Sequence, residues 1–310
     1  MLYRFYRLRR LIALSLVLPI LAVLAVAAFK GPASFILLTL AIGLPLAHAL
    51  RYPNAWTETL TVSLLTAILL ALAGTIGPDI GLLGLGLRLL GLALLGAVLF
   101  FVLNGPVTAL LMSGPVAEMN ARARRRTRLS PAEAKAGITL YPGRKDAKVD
   151  CGEPDEDGAF PVTIHHKMPA LSGPEETLDV LVYAQIVESG DLVHEVMSVD
   201  AGPLDDELTA PDETGEPADE ETPPAITVTR HVFTPTKRGT LVDVTETGGA
   251  LTRGQALGFW LQDYFADHLT DELDRAEGRP ARANRFAPQD QLVGDIARRF
   301  VGRTPATPAE

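Results

Sequence analysis

Charged side chains are almost absent from the first third of this sequence, which limits what that segment can fold into. Residues 1–113 carry nine of the chain's 65 charged side chains. A helix needs about 20 mostly apolar residues to cross the hydrocarbon core of a bilayer. Four stretches approach that length, at about 11–29, 33–50, 59–76 and 82–104. We therefore predict a membrane domain of four transmembrane helices over residues 1–113.

Short connections and the positions of the arginines predict the topology. Lys30-Gly31-Pro32 and Gly77-Pro78-Asp79 are helix-breaking loops that each join two neighbouring spans. Cytoplasmic flanks of membrane helices carry an excess of lysine and arginine. Arginines flank the spans on one side of the predicted membrane, at residues 4–10, at Arg51 and at residues 122–128. We expect a multi-pass protein of the cell (inner) membrane with both termini in the cytoplasm.

The first span has a second interpretation. Its basic start, its apolar run and the small residues Ala25-Val26-Ala27 also resemble a secretory signal peptide. The apolar run at 11–29 is longer than the apolar core of most signal peptides, which favours a retained helix. Cleavage would leave three spans and would still place the rest of the chain in the cytoplasm.

Few ionisable side chains fall within or near the spans. We expect His48 and Glu58 at the level of the lipid headgroups, and a proton relay through the two is the alternative. Arg88 lies near the outer end of its span, where a guanidinium can reach the headgroups. We interpret these helices as an anchor and a packing surface.

The rest of the chain is acidic. Residues 114–310 hold 21 basic and 35 acidic side chains, a net charge of −14 against +5 for residues 1–113. Nucleic-acid affinity comes mainly from cations that neutralise phosphates. This charge balance therefore excludes nucleic acid as a partner.

An arginine-rich run follows the last predicted span. We predict that residues 114–136 form a basic juxtamembrane linker lying on anionic lipid. Its candidate membrane-surface residues are Arg122, Arg124, Arg125, Arg126 and Arg128. Ser130, Pro131 and Glu133 form the pattern of a capped helix start within this segment.

Short β-like runs follow the linker. They lie at 160–168, 178–187, 192–199, 226–234 and 240–247, with two briefer candidates before them. Consecutive strands joined by turn residues predict an antiparallel sheet. Residues 202–224 contain nine acidic residues, five prolines and no basic residue, so we predict a disordered acidic insertion there.

Two amphipathic helices are predicted near the end of the chain. Residues 251–277 place apolar side chains on one face, and we expect this helix to lie across the sheet. The tail at 278–310 contains a short basic amphipathic helix at 289–303, which we expect either to pack on the folded domain or to lie on the membrane surface.

The hairpin at 226–247 followed by the helical run from Gly249 through Leu261 and Leu269 to Leu273 resembles the START-like or SRPBCC superfamily, which includes Bet v 1-type and polyketide-cyclase-type domains. The resemblance covers residues 137–277. It implies an α+β soluble domain in which an antiparallel sheet grips a long C-terminal helix around a cavity for apolar ligands. The family usually places two short helices after its first strand, and residues 141–160 are too polar and too rich in glycine and proline for them.

That resemblance implies a ligand-binding set with side chains in the space between sheet and helix. The candidates are Val180, Val182, Val228, Val244, Leu257, Trp260, Leu261 and Tyr264. A closed hydrophobic core made of the same residues is the alternative interpretation.

No motif in the sequence identifies a reaction. The histidines at 165, 166, 194, 231 and 268 lack metal-ligand spacing, so we expect partly exposed histidines, no metal and no cofactor. Asp263, Asp267 and His268 fit the solvated face of a helix better than an acid–base site. Cys151 has acidic neighbours and is expected to be an ordinary thiol.

Three functions are compatible with the sequence. The first is a membrane-tethered START-like domain that binds a lipid or another apolar small molecule, with membrane lipids as its surroundings. The second is a non-enzymatic scaffold or assembly subunit that packs with other membrane proteins. The third, a cyclase- or hydrolase-like enzyme, has no residue in its favour at this level.

Overall fold

The computed structural model describes residues 2–25, 32–74, 82–168, 176–203, 226–280, 282 and 291–301. It divides into two units. The first, the helical unit, comprises Met1–Pro115, Thr252–Tyr264 and Pro288–Glu310. The second, the sheet unit, comprises Val116–Leu251 and Phe265–Ala287.

The described ranges contain helices at both ends of the chain and strands between them. The helices are α1 (Leu2–Ala25), α2 (Pro32–Arg51), α3 (Trp56–Gly74), α4 (Leu82–Met112), α5 (Pro131–Ile138), α6 (Arg253–Leu261), α7 (Tyr264–Ala276) and α8 (Leu292–Val301). The strands are β1 (Val116–Thr127), β2 (Val149–Cys151), β3 (Ala159–Met168), β4 (Glu176–Ser189), β5 (Val193–Pro203), β6 (Ile226–Thr236) and β7 (Gly239–Thr252).

The four predicted spans are helical wherever they are described, but two ends differ from the prediction. α1 begins at Leu2 rather than at residue 11, and α4 continues through Pro106 to Met112 rather than ending at residue 104. Proline removes one backbone hydrogen bond, which a long helix tolerates with at most a kink. Residues 26–29 and 75–76 of the predicted spans lie outside the described residues.

Two described helices are long and apolar enough to cross a membrane, Leu2–Ala25 and the 23 residues Leu90–Met112. Leu38–Arg51 and Trp56–Leu72 are shorter apolar helices. The apolar helical character of this part of the chain is therefore confirmed. The number of membrane crossings and the side on which the termini lie stay predictions.

The break between α6 and α7 corrects the prediction of one continuous helix over 251–277. Asp263 adopts a φ of +53°, the left-handed conformation that ends a helix. Arg7, which is buried, donates from Nε to the Gln262 carbonyl at 3.1 Å. Arg10 donates to the Trp260 carbonyl at 2.8 Å. These arginines bind carbonyl groups at the end of α6, and the Trp260 carbonyl also accepts the Asp263 backbone N–H at 3.3 Å.

α6 packs against α1, α3 and α4 within the helical unit. Gly254 and Gly258 are one helical turn apart and face these neighbours. A Cβ atom at Gly254 would lie 1.9 Å from the Leu111 carbonyl oxygen, and one at Gly258 would lie 2.4 Å from Trp56 Nε1. The two glycines therefore allow an approach that no side chain would permit.

The tail helix exists, and it belongs to the helical unit rather than to the sheet domain. The Glu58 carboxylate accepts the backbone N–H groups of Leu292 at 2.8 Å and Val293 at 3.3 Å, at the N-terminus of α8. Four N–H groups at a helix start lack helical partners, so a carboxylate there stabilises the helix. The predicted helix at 289–303 is confirmed over its described part, Leu292–Val301.

His48 and Glu58 are buried in the helical unit, and their depth relative to the lipid headgroups stays a prediction. Their side chains are 6% and 2% exposed, and His48 Nε2 lies 3.5 Å from Glu58 Oε2. His48 Nδ1 lies 2.9 Å from the Thr59 hydroxyl. That hydroxyl donates to the Ala55 carbonyl at 3.0 Å, so it accepts from the imidazole. Protein groups therefore surround this pair.

The sheet unit contains a seven-stranded sheet of order β1-β7-β6-β5-β4-β3-β2. Each neighbouring pair from β2 to β7 is antiparallel. The prediction of an antiparallel sheet in an α+β unit is confirmed. Of the predicted acidic insertion at 202–224, residues 202–203 end β5 and the remainder lies outside the described residues.

The arginine-rich segment is a strand rather than a linker. β1 lies at the edge of the sheet beside β7. Ala121 and Ala123 are buried, whereas Arg122 and Arg124 on the opposite face are exposed. A strand alternates its side chains between two faces, so two small apolar residues suffice to bury one face while arginines occupy the other. α5 follows with the predicted capping box of Ser130 and Glu133.

Two clusters of buried side chains form the core of the sheet unit. One joins β1, β6 and β7 to α5 and α7, with Phe233 and Val242 fully buried beneath Leu269 and Leu273. The other lies on β2 to β5 around Phe160 and Val162. α7 thus packs on one end of the sheet, as expected of the predicted long helix.

Candidate functional site

A groove with a volume of about 630 Å³ lies beside α5 and the turn between β4 and β5, hereafter the α5 groove. Its apolar side chains are Pro131, Ala132, Ala136, Tyr141, Ile186 and Leu192. Its volume lies within the range of about 300–1,000 Å³ that is usual for small-molecule sites. The groove can therefore accommodate the apolar body of a small molecule.

One edge of the α5 groove carries a chain of polar contacts. Lys135 Nζ donates to the Ser189 hydroxyl at 2.9 Å and to the Gly190 carbonyl at 2.8 Å. Ser189 Oγ lies 3.2 Å from His194 Nδ1. Lys135 comes from α5, and the other two side chains come from the β4–β5 hairpin, where Ser189 and His194 are cross-strand partners.

The hydrogen bonds of His194 fix its tautomer. Nε2 lies 2.9 Å from the Leu140 carbonyl oxygen, which can only accept, so Nε2 carries the hydrogen. Burial, together with the charge of Lys135, lowers the pKa of His194, so the ring is neutral at pH 7. In the neutral ring Nδ1 is an acceptor, and the Ser189 hydroxyl donates to it. The result is a directed chain from an ammonium group through a hydroxyl to an imidazole.

Among the other histidines of the sheet unit, His231 lies closest to this chain of contacts, since it pairs with His194 across β5 and β6. His231 is 8% exposed, and burial lowers its pKa to about 3. The expectation of partly exposed histidines is wrong for His194 and His231, because both point into the core. It is confirmed for His165 and His268, whose side chains are 30% and 52% exposed. The side chain of His166 lies outside the described residues.

Within the described ranges, no three metal-ligating side chains come together. Cys151 is a buried free thiol, and burial raises its pKa. A raised pKa keeps the thiol protonated and unreactive at pH 7.

The strand residues predicted to bind a ligand divide between the two faces of the sheet. Val182 lies opposite the buried Val162, and Val180 opposite Ile164. Val244 lies opposite the buried His231 in the register of β6 and β7. These three predicted residues are half-buried on the core face. Val228 is three residues from His231 on the same strand and so points to the opposite face.

The four helix residues of the predicted set belong to the helical unit. Leu261 is fully buried beside Leu8, Leu11, Ala49 and Trp56. Trp260 is 55% exposed, Leu257 and Tyr264 are each 39% exposed, and the Arg10 guanidinium lies 4.7 Å from the Trp260 ring centre. The predicted set is therefore divided between the two units, with its four strand residues in the sheet unit, and a shared site stays a prediction.

None of the eight predicted residues is among the described residues that line the α5 groove. Lys135 and Ser189 are 54 positions apart, and neither belongs to a motif in the sequence. The one sequence signal for the groove was the capping box at Ser130 and Glu133, which predicted the start of α5. Only the packing of α5 beside the β4–β5 turn identifies the groove.

The five arginines predicted at the membrane surface have different surroundings. Arg122 and Arg124 both donate to the Asp243 carboxylate, with Nε–oxygen distances of 2.8 and 3.0 Å. Arg125 donates to the Thr270 hydroxyl at 3.0 Å. Arg126 and Arg128 line a second groove. Contact of these arginines with lipid stays a prediction.

Comparison with known proteins gives weak likenesses only. No family model matches the sequence, and no curated protein matches it. Among solved structures, a Mesorhizobium loti protein aligns over 52% of this chain and 97% of its own, at 12% identity and a TM-score of 0.30. A Staphylococcus aureus protein of unknown function aligns over 52% of this chain and 94% of its own, at 9% identity and a TM-score of 0.31.

The di-domain ARO/CYC StfQ from the steffimycin biosynthetic pathway aligns over 55% of this chain, at 12% identity and a TM-score of 0.30. This chain spans about half of StfQ, 51% of its length. All three TM-scores lie below 0.5, so the fold assignment of the sheet unit rests on its own strand order and packing.

Proposed function

We propose that this chain is a membrane-anchored binding protein whose sheet unit holds an amphipathic small molecule in the α5 groove. One observation carries the proposal. Six apolar side chains and the hydrogen-bonded residues Lys135, Ser189 and His194 line the same groove of about 630 Å³. An apolar body would contact the apolar wall. An acidic or hydrogen-bond-accepting head would contact Lys135.

The chemistry of Lys135 supports a head group that accepts hydrogen bonds. Its ammonium has three hydrogens, and Ser189 and Gly190 accept two of them. The third can be donated to a ligand. A charged group held in place by two hydrogen bonds contributes orientation as well as attraction. Because Asp191 also lines the groove, a lipid with a zwitterionic or neutral hydrogen-bond-accepting head has the features that the groove would recognise.

The element order supports a START-like assignment for the sheet unit. β1 and α5 both begin before residue 137, where the resemblance was predicted to begin, and they supply a first strand followed by a helix. β2 to β7 and then α7 complete the order. One described helix follows β1 where the family usually has two. The family resemblance implies apolar ligands, in agreement with the composition of the α5 groove.

The surface of the helical unit supports membrane anchoring. Large apolar side chains are exposed along α1 and α4, among them Leu21 at 54%, Leu24 at 71%, Leu94 at 62% and Val98 at 61%. Contiguous exposed apolar surface of this kind is unfavourable in water and is covered by lipid or by another protein. Together with the arginine distribution, it supports an anchor that leaves the sheet unit in the cytoplasm.

Native mass spectrometry of the full chain extracted in mild detergent, followed by lipid extraction, tests the proposal. We expect a stoichiometric amphipathic molecule to copurify with the wild-type chain. Lys135→Gln and Leu192→Asp should each reduce its occupancy. Lys145→Gln is the matched control, because Lys145 is an exposed lysine paired with Asp150 outside the groove. An empty wild-type protein, or equal occupancy in all variants, would overturn the proposal and leave the scaffold hypothesis ahead.

Ester hydrolysis is a second candidate function, favoured by the contact between Ser189 and His194. In that reaction Ser189 Oγ would attack an ester carbonyl while His194 Nδ1 takes the hydroxyl proton. His194 would return the proton to the departing alcohol, and water would then release the acyl group from Ser189. Lys135 would stabilise the negative charge that develops on the carbonyl oxygen.

A fluorophosphonate probe distinguishes the two functions. Hydrolysis requires covalent labelling of Ser189 in the wild-type chain and loss of labelling in Ser189→Ala and His194→Gln. Ser130→Ala is the control, since Ser130 lines the same groove but caps α5 through Glu133. An unlabelled Ser189 excludes the hydrolase and leaves ligand binding unaffected.

A further inference from the structure

Three separate segments of the sheet unit bring basic side chains together in a second groove of about 560 Å³, hereafter the basic groove. Arg126 lies near the end of β1, and Arg128 directly follows that strand. Lys237 and Arg238 come from the turn between β6 and β7, and Arg279 and Arg282 follow α7. The remaining lining residues are Thr127, Thr236 and Glu277.

The only carboxylate among the described lining residues is already bound by protein groups. Glu277 accepts the Thr127 hydroxyl at 2.5 Å and the Arg128 backbone N–H at 3.0 Å. It also pairs with Arg279 at 2.5 Å. Its charge therefore holds the end of β1 and the segment after α7 together, and offsets at most one of the six cations.

The cations of the basic groove are of two kinds. Arg282 pairs with the buried Asp274 at 2.8 Å and Arg279 with the same carboxylate at 3.4 Å, which fixes both guanidinium groups. In the part of the chain that the structure describes, no ion-pair partner lies beside Arg126, Lys237 or Arg238. The groove thus contains two arginines that a carboxylate holds in place and three cations that no described carboxylate neutralises.

The turn that supplies Lys237 and Arg238 is held against the end of β1. Gly239 has a φ of +121°, and a Cβ atom there would lie 2.1 Å from the Thr127 carbonyl oxygen. The Thr240 hydroxyl donates to the Leu129 carbonyl at 2.7 Å. Backbone contacts therefore determine the spacing of the cations, despite their mutual repulsion.

Such a cluster is unexpected in a segment whose net charge is −14. Glu277 and Asp274 offset two of the six positive charges, and the four that remain repel one another until a multivalent anion binds. Guanidinium groups donate pairs of hydrogen bonds that match the oxygens of a phosphate. The number of cations exceeds what a single carboxylate would need.

We propose that the basic groove binds the phosphate groups of a multivalent anion, either a polyphosphate-bearing molecule or the phosphorylated head of a lipid. The site is separate from the α5 groove and goes beyond the function proposed above. It assigns Arg126 and Arg128 of the arginine run to a specific site, together with four cations that are distant in sequence.

Calorimetric titration of the full chain in non-ionic detergent with sodium tripolyphosphate is the first test. We expect binding that weakens as salt is raised, because cation–phosphate contacts depend on ionic strength. The triple variant Arg126→Gln, Lys237→Gln, Arg238→Gln should bind about tenfold more weakly or not at all. A control variant with Lys145, Arg230 and Arg253 changed to Gln loses the same charge from exposed positions elsewhere and should bind as the wild type does.

A second measurement identifies the source of the phosphate. The full chain is reconstituted in nanodiscs of phosphatidylcholine, with or without phosphatidylinositol bisphosphate, and acetylation of Lys237 is followed by mass spectrometry. Protection of Lys237 by the anionic lipid supports a lipid head as the ligand, and protection by tripolyphosphate alone supports a soluble one. Absence of both protections, or equal binding by the triple variant and the wild type, would overturn the proposal.

Discussion

α6 and α7 arise from one amphipathic stretch of sequence, yet they pack in different ways. α6 presents Gly254 and Gly258 to neighbouring helices, so at these two positions its backbone makes the contact. α7 places Leu269 and Leu273 on the sheet, so its contacts are made by large side chains. The difference shows that a period of apolar residues predicts a buried face but not what that face packs against.

The two kinds of packing respond differently to substitution. Where two backbones lie in contact, added volume cannot be accommodated, whereas removal of a side chain costs little. Where large side chains fill a core, their removal leaves a cavity. Variants at these contacts test the contrast, and they follow in order of decreasing expected effect.

Gly254→Ala should have the largest effect. The added methyl group would lie 1.9 Å from the Leu111 carbonyl oxygen and 2.6 Å from Met112 Cα, so α6 must leave its position. We expect a loss of more than about 4 kcal/mol in the free energy of unfolding. Hydrogen exchange of residues 253–261 in the detergent-solubilised chain measures the undocking directly.

Gly91→Ala in α4 is the matched control for that variant. A Cβ atom there has nothing within 4 Å, and alanine is the better helix former by about 1 kcal/mol. We expect wild-type or higher stability. If residues 253–261 of Gly254→Ala kept the hydrogen-exchange protection of the wild type, the contact between α6 and α4 would not be rigid. The contrast between backbone packing at α6 and side-chain packing at α7 would then fail.

Leu273→Ala tests the side-chain packing of α7. Leu273 is 3% exposed in the core under the sheet, and its truncation should cost about 3 kcal/mol. Thermal unfolding and hydrogen exchange of residues 264–276 measure the loss. Val187→Ala on β4, where the side chain is 56% exposed, should change stability by less than about 0.5 kcal/mol. Equal effects of the two variants would contradict a closed core.

Acid should destabilise the sheet unit through His231. Its pKa is about 3 in the folded chain, against an ordinary value near 6.5, so the unfolded chain binds a proton that the folded chain does not. Stability should therefore fall as the pH falls from about 6.5 towards 3, by up to about 1.4 kcal/mol for each pH unit. The stability of the full chain across this range is the measurement.

His231→Leu should flatten that pH dependence, since leucine cannot take up a proton. His268→Leu is the control because its ring is about half exposed. Identical pH profiles for wild type and His231→Leu would show that His231 does not remain neutral in the folded chain.

Asp263→Asn should have the smallest effect. The change removes ion pairs with Arg9 at 3.3 Å and Arg10 at 3.8 Å, whose side chains are partly exposed, while asparagine still accepts the left-handed conformation. Exposed ion pairs of this kind contribute about 0.2–1 kcal/mol. A shift in the thermal midpoint larger than that of Leu273→Ala would mean that the break between α6 and α7 depends on this carboxylate more than on the carbonyl contacts of Arg7 and Arg10.

The predictable parts of the fold are those that local pattern controls. The apolar runs predicted helices, the alternating runs predicted strands, and Ser130 with Glu133 predicted the start of α5. β1 was missed because arginines dominate its composition and conceal the alternation of Ala121 and Ala123. The single long helix was wrong because the arginines that satisfy the end of α6 lie about 250 positions earlier in the chain.

The α5 groove could not be predicted for a related reason. Lys135 follows a helix cap, and Ser189 and His194 belong to an ordinary hairpin, so no local spacing connects them. Their hydrogen bonds exist only because α5 packs beside that hairpin. The basic groove likewise draws on three segments that are separate in sequence.

The sequence by itself determined the apolar helical character of residues 1–113, the acidic balance of the rest and its antiparallel sheet. These properties depend on composition and on the period of apolar residues, which neighbours along the chain define. The tertiary structure decided where α6 and α8 pack, that His194, His231 and Glu58 are buried, and which cations meet at the basic groove. Such properties depend on distances between residues far apart in the chain, and burial and charge act through space rather than along the backbone.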